Sequence, residues 1–375
     1  MYINLFLILF VIILGLLLST NDNDKNRRLY IVLCSVVLLF VAAMRSPEWM
    51  TSTYHIDTFP YQSLFEDTID SGWSGFWANV YSRYWLHEGE NDVGYLALQL
   101  IIGLFTHSFF IFSLVADLLF FVPFGIILYR YSTNIRQIIF AYVFYIALVQ
   151  VFLLGGARQI FAIGFDMMAF LAIVDRKTWR AIIFLLLGVS IHFSSFLFVI
   201  PLLMIRFQTA PRVLKVLHFV CFLAVPIALL FPNQIIIFMG ETVGIEKFAN
   251  YGNQEIQGGA TTFIILIELL SLFCFMAIKK TDLENHDNVR MLYIMTPLMT
   301  VLAPLIISNG AMIRVSLYFH LFLSLLVPFA IDCMFRVKNR VIVYVVAIAA
   351  LVFLTLSGGG IRYYFYWQVS PLIGV

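Results

Sequence analysis

The sequence predicts an all-α, polytopic membrane helix bundle of about 10–12 transmembrane helices with re-entrant half-helices. Three observations carry this expectation. Hydrophobic residues make up 62% of the 375 positions and charged residues only 12%, against roughly 25% charged in a soluble domain. The mean hydropathy is +0.95. The apolar residues also fall in runs near the ~20 residues that a helix needs to cross a hydrocarbon core of ~30 Å. Such an inventory cannot supply a water-soluble surface, which excludes a cytosolic enzyme or a nucleic-acid-binding module. With 23 basic against 21 acidic residues, the chain has too little net charge to favour a polyanion partner, and no nucleic acid is expected.

The spans follow in order. The first, 2–19, has no basic residues ahead of it and no small-residue cleavage site behind it, so it reads as a retained helix rather than a signal peptide. The next, 29–44, starts after Lys25, Arg27 and Arg28 and closes at Arg45. Further spans are expected at 109–129, 137–154, 159–174, 214–231, 262–278, 291–307, 314–331 and 341–356. Two stretches are ambiguous by length: 93–107 is apolar but short, and 180–206 is long, with His192 near its midpoint.

Basic residues in short loops mark the cytoplasmic side. Lys25, Arg27 and Arg28 therefore place the first loop inside and the N-terminus outside. The clusters Arg130/Arg136, Arg176/Lys177/Arg180, Arg206/Arg212/Lys215, Lys279/Lys280/Arg290 and Arg336/Lys338/Arg340 can all join them under two conditions. Residues 93–130 must cross once, and 180–206 must not cross at all, forming a re-entrant pair of half-helices that turns near His192. Counting both stretches as spans gives twelve crossings but strands two basic clusters outside.

Either scheme puts loops at about 45–92 and 232–261 outside. No Gly-, Ser- or Pro-rich linker divides the chain and no internal repeat is visible, so residues 1–375 read as a single membrane domain. The SGGG at 357–360 only ends the last span. Cys34, Cys221, Cys274 and Cys333 have no ligand-like spacing and read as small buried hydrophobes. The first large loop holds four of the six tryptophans (Trp49, Trp73, Trp77 and Trp85) and eight carboxylates against two arginines. This composition suits either an interfacial aromatic belt beside a solvated acidic loop or a surface for sugars, where rings stack on pyranose faces and carboxylates accept hydroxyls.

Ionisable groups at membrane depth cost about 2.5–3.5 kcal/mol each at a helix centre on insertion scales, so each needs a reason. Arg45 in AMRSPE, Arg158 in GGARQIFAIGFD and Arg314 in SNGAMIRVSLYF reach the outer membrane face from three different helices. Each taken alone suits an arginine that snorkels at a helix end; together they suit a diphosphate, because guanidinium donates paired hydrogen bonds and stays charged. Asp57 in STYHIDTFPY lies in the first outer loop, followed by Tyr61. His192 in LLGVSIHFSSF is either a bundle histidine bonded to a carbonyl or a group exposed to a cavity at a helix break, where irregular backbone is tolerated. Asp166 follows Arg158 by eight residues, about 80° round the helix, placed to orient it. Asp117 and Glu268 are intramembrane and carry no assignment.

The pattern resembles the EpsG family of Wzy-type polysaccharide polymerases. The similar elements are MRSP at 44–47, HIDTFPY at 55–61, ENDVGYLALQLII at 90–102, GARQIFAIGF at 156–165, DRKTWR at 175–180 and SIHFSSFLF at 190–198. Arg158–Gln159 followed by His192–Phe193–Ser194 on adjacent spans is the most telling pair, and the resemblance covers roughly residues 30–330. Here His55 and Ile56 precede Asp57 where the family has a glycine.

The resemblance implies a polymerase of O-antigen, capsular or exopolysaccharide repeat units carried on undecaprenyl diphosphate. It would act at the outer face of the bacterial cytoplasmic membrane, in a bundle loosely like the GT-C glycosyltransferases, and it leaves room for a chain-length regulator protein as partner. Arg158 and Arg314, with Arg45, would bind the diphosphate, and Gln159 and Tyr61 would contact other parts of the substrate. His192 or Asp57 would be the base, with His192 the more essential. No metal or other cofactor is expected. A lipid-oligosaccharide flippase would need a similar polar cavity without catalysis, and an O-antigen ligase would use the same bond chemistry on another acceptor. A knockout separates the three: single-repeat chains for a polymerase, none for a ligase, repeats trapped inside for a flippase.

The topology predicts a labelling pattern. Cysteines introduced as Glu88→Cys and Asn250→Cys should react with an impermeant thiol reagent from outside, and Thr178→Cys and Asn285→Cys should not. Labelling at 178 from outside would favour twelve spans and discard the re-entrant segment.

Overall fold

The fold comes from a computed structural model, which describes residues 2–46, 58–86, 92–243, 250–253, 260–279, 283, 286–357, 363 and 365. Asp57, Trp49 and the glycines at 358–360 lie outside the described residues. Among those described, the chain is helical and forms no sheet strand. In hydrocarbon this is the form expected, because a helix satisfies its backbone N–H and C=O groups within one segment.

In chain order the helices are α1 (Tyr2–Ser19) and α2 (Asp24–Ala43). Then come α3 (Thr58–Tyr81), prolonged by a π-helical turn at Ser82–Leu86, and α4 (Val93–Gly103). Next are α5 (Phe109–Tyr131), α6 (Ile135–Leu154), α7 (Ala157–Val174) and α8 (Thr178–Ile191). A 3₁₀ segment, Phe193–Phe198, leads into α9 (Val199–Arg206). The remainder are α10 (Pro211–Leu230), α11 (Pro232–Val243), α12 (Thr261–Lys279), α13 (Asp287–Ile307), α14 (Ile313–Met334) and α15 (Val337–Ser357). Ten of them, α1, α2, α5, α6, α7, α10, α12, α13, α14 and α15, are long and apolar enough to cross a membrane. They coincide with the ten spans expected from the sequence. The two ambiguous stretches hold the short helices α4, α8 and α9.

The chain packs as two compact units, Met1–Leu202 with Ile348–Val375, and Leu203–Ala347. In the first, α2 and α5 run antiparallel. Near one end the Arg28 Nη2 donates to the Tyr129 hydroxyl at 2.8 Å, and Arg27 Nη1 donates to the Thr133 carbonyl at 2.8 Å. Asn134 caps α6 by accepting from the Gln137 amide at 3.1 Å. Asp22, in the turn after α1, accepts the Ile135 amide at 3.0 Å. At the other end Arg45, just past α2, meets Asp117 of α5.

Helices α5 and α7 lie parallel, with Phe112 on Phe161 and Tyr131 on Phe170. They approach so closely that a Cβ on Gly164 would stand 2.5 Å from the Leu119 carbonyl oxygen. Small residues are what let membrane helices come this near. Between α7 and α8 the turn is tight: Arg176 adopts φ 61°, and the Lys177 amide donates to the Ala172 carbonyl at 2.8 Å. Such a left-handed turn closes a helix C-terminus, usually at a glycine. Arg130, at the end of α5, and Asp175, just past α7, pair at 2.8 Å. The basic residues that set the sidedness thus gather at one end of the unit.

After α8 the chain doubles back. Had the helix run on, Ser195 would lie about 10 Å beyond Gly188 along the axis; instead its Oγ stands 3.2 Å from where a Gly188 Cβ would be. The expected break at His192 is present, and the 3₁₀ segment after it folds back against α8. In the loop between α2 and α4 the described residues 58–86 are helical, through α3 and its π-helical turn. Its first half packs on α4, with Thr68 donating to Gln99 at 3.1 Å. Gly72, at φ 59°, kinks it. Beyond the kink Trp73, Trp77, Tyr81 and Trp85 are exposed.

In the second unit α10 packs on α13 and α12 on α14. The His218 ring stacks on Tyr293, with centroids 3.6 Å apart, and its Nε2 is 3.0 Å from the Thr296 hydroxyl. Asn233 accepts a hydrogen bond from Ser308. The Tyr344 hydroxyl donates to the Pro328 carbonyl at 3.1 Å. Arg314 is the second residue of α14 and is half-buried.

Candidate functional site

Arg158 stands at the end of the first unit opposite the basic clusters, and the local sequence explains why. Gly155 and Gly156 terminate α6 and permit a tight turn into α7, whose first amide bond runs from Ile160 to the Gly156 carbonyl at 3.0 Å. Arg158 is then the second residue of α7 and projects from its N-terminus. Its Nε donates to the Tyr61 hydroxyl and its Nη1 to Asp92 Oδ2, each at 3.4 Å. The guanidinium also lies over the ring of Tyr61, 5.3 Å from the centroid, and near that of Tyr95, at 5.9 Å. The two tyrosines meet edge to face at 6.0 Å. Long contacts and a side chain 22% exposed leave further donors of the five-donor fork for an incoming anion.

His192 belongs to the same end. From Arg158 to the end of α7 is about 24 Å, and from the start of α8 to His192 about 21 Å, at 1.5 Å per residue. In an antiparallel hairpin the two residues therefore reach nearly one level. The start of α4 supplies a second tie: a Cβ on Gly94 would lie 2.6 Å from Ser190 Cβ and 2.7 Å from its carbonyl carbon. Asp92, two residues before Gly94, is the carboxylate on Arg158, and Ser190 is two residues before His192. His192 caps α8 in extended backbone, φ −150° and ψ 111°. Its amide donates to the Gly188 carbonyl at 2.9 Å and its carbonyl accepts from Ser195 at 3.0 Å. The side chain is half-buried.

The structure thus gathers Arg158, Tyr61, Gln159 and His192 at one end of one unit, with Gln159 buried beneath. Arg45 lies in the same unit but is 4% exposed. Its Nη1 donates to Asp117 Oδ2 at 3.1 Å and to the Ala42 carbonyl. Phe365 bridges its backbone, and the Tyr363 hydroxyl donates to the Val41 carbonyl beside it. Asp117, which the sequence left unassigned, is its counter-ion. Arg314 belongs to the second unit, and Asp57 lies outside the described residues.

The expectation that Asp166 orients Arg158 is not met. Eight residues separate them by about 12 Å along the helix, beyond the reach of either side chain, and Asp92 takes that place. Sequence reasoning gave Asp92 and Tyr95 no role. The signal was there: an aspartate opening a helix, then a glycine and a tyrosine, within a stretch already marked as family-like.

Comparison with known proteins adds one finding. The model of the EpsG family matches residues 33–366. No curated protein and no solved structure matches the chain.

The two arginine pairs should behave differently. Asp117→Ala strands a buried guanidinium and is expected to destabilise the protein by about 3–5 kcal/mol. Asp92→Ala opens a partly exposed pair and should change stability by about 1 kcal/mol or less. Thermal unfolding of both variants in detergent checks this; equal losses would make Arg158 as structural as Arg45.

Proposed function

The chain belongs to the EpsG family, whose members are exopolysaccharide polymerase-like proteins, and from that premise we propose that it polymerises oligosaccharide repeat units carried on undecaprenyl diphosphate. The reaction takes place at the outer face of the bacterial cytoplasmic membrane. One observation supports this above others: an arginine with donors to spare stands beside a broken helix carrying a histidine, at the end of the first unit opposite its own basic residues Arg27, Arg28 and Arg130. Those residues mark the cytoplasmic side.

In this reading the bond between the anomeric carbon of the growing chain and its diphosphate breaks as a hydroxyl of the incoming repeat attacks that carbon. The leaving diphosphate takes the bonding electron pair. It needs no proton, only cations at the oxygen where charge develops. Arg158 supplies one such fork, preorganised by Tyr61 and Asp92, and Arg314 a second. Arg45, held by Asp117, is committed to packing within the first unit. The attacking hydroxyl loses its proton to His192, because imidazole is the side chain suited to accept a proton near neutral pH. Asp57 orients the acceptor, Gln159 lines the floor, and the exposed aromatic strip of α3 carries the glycan by stacking on sugar faces.

Two tests follow. Arg158→Lys and Arg314→Lys keep the charge but lose the paired-donor geometry, and each should slow elongation by about 100-fold at normal membrane level. Wild-type ladders from both would reduce them to anchoring residues. The second test uses purified protein with a lipid-diphosphate repeat. His192→Ala should lose elongation by about 100-fold or more while still binding donor lipid, and Asp57→Asn should retain turnover. A dead Asp57→Asn beside an active His192→Ala reverses their roles.

A further inference from the structure

Beneath the reversal at His192 lies a group of oxygens that the proposed reaction does not use. Asp166, in the body of α7, is fully buried, and neither carboxyl oxygen has a hydrogen-bond partner among the described residues. Ser195, folded back beside it, is likewise fully buried, and its hydroxyl faces the Asp166 carboxyl without making a hydrogen bond of ordinary geometry. Both face Gly188. A Cβ at that position would stand 2.8 Å from Asp166 Oδ1, 3.2 Å from Ser195 Oγ and 3.4 Å from the Ala162 carbonyl oxygen. Three oxygens, two from α7 and one from the 3₁₀ segment, thus converge on the one face of α8 that has no side chain.

The electrostatics there are one-sided. Arg158, the cation on the same helix, is about 12 Å away along the axis and engaged with Tyr61 and Asp92. The oxygens also sit by the last turn of α8, where the carbonyl ends add partial negative charge. A carboxylate at membrane depth beside a helix C-terminus calls for a positive partner. Broken helices meet this need in membrane proteins by giving C-terminal carbonyls and unwound backbone to a small cation.

We propose that Asp166, Ser195 and the Ala162 carbonyl bind one alkali cation, which fastens the reversal of α8 to α7. A single carboxylate among neutral oxygens balances one positive charge, whereas the divalent ions Ca²⁺ and Mg²⁺ take more carboxylate or phosphate ligands. Gly188 keeps the space open. The site lies below His192, so the bound ion sets the shape of the turn that presents the histidine. It is a different site from the one assigned to the diphosphate and does not depend on that assignment.

The test uses the full-length protein purified in detergent at neutral pH. Thermal unfolding is followed in NaCl, KCl and choline chloride at equal ionic strength, and equilibrium binding of radioactive Na⁺ and Rb⁺ is counted. The expected result is a saturable rise in Tm with an alkali salt and not with choline, with one ion bound per chain. The Na⁺ and K⁺ arms identify the preferred ion. Asp166→Asn should abolish both effects, and Gly188→Ala, which leaves the acid intact but fills the gap, should weaken binding at least 10-fold. If Asp166→Asn does not fold, the wild-type stoichiometry and Ser195→Ala, expected to weaken binding about 10-fold, decide the matter. Equal Tm in all three salts with no ion bound to wild type would overturn the proposal and make Asp166 a neutral buried acid. A full response in Asp166→Asn would also overturn it, by placing the ion elsewhere.

Discussion

A charge inside an apolar bundle must find an opposite charge or reach the edge of the bundle. That constraint sorts the arginines of this chain. Arg45 enters the packed interior and is met by Asp117 at 3.1 Å, both side chains being almost wholly buried. Arg158 stays at the helix end, where tyrosine rings and a partly exposed aspartate hold it loosely. The same residue type therefore plays two parts: one is fixed as structure, and the other keeps the means to bind something else. The difference lies in depth, since Asp117 is nine residues into α5 while Asp92 only opens α4.

The spans were legible because their signal is local. A run of about 20 apolar residues needs no knowledge of its neighbours to be read as a crossing, and all ten appear at their expected places. The helix break at His192 was legible too, because one apolar stretch, 180–206, is too long for a single crossing and carries His192 near its midpoint. What could not be read was pairing. That Arg158 would meet Asp92 rather than Asp166 depends on α4 lying against the end of α8, and that contact depends on Gly94 fitting Ser190. The helical form of 58–81 was also missed. Its apolar residues are interspersed with Asp67, Asp70, Ser71 and Gly72, which mask the period, and packing of Tyr61, Phe65 and Thr68 on neighbouring helices decides the outcome.

Three glycines do the work that larger residues would prevent. Gly164 lets α7 approach the backbone of α5, Gly94 lets α4 touch α8, and Gly188 opens a space between α8 and α7. Each stands at a helix crossing, and together they draw four helices around the end that carries Arg158 and His192. Without a hydrophobic drive between helices in lipid, close van der Waals contact is what holds such crossings. The precision of the site thus comes from side chains that are not there.

The contacts of Tyr363 and Phe365 with Val41 and Arg45 bear on the order in which the protein is completed. Arg45 and Asp117 leave the ribosome early, whereas the residues that cover Arg45 are made 248 positions after Asp117. At 5–20 residues per second, that interval is about 12–50 s. For that time the ion pair has its mate but not its cover. The first unit is therefore closed by residues made after all ten described spans, and a polypeptide cut short before Tyr363 would carry those spans yet lack the closure over its first buried ion pair.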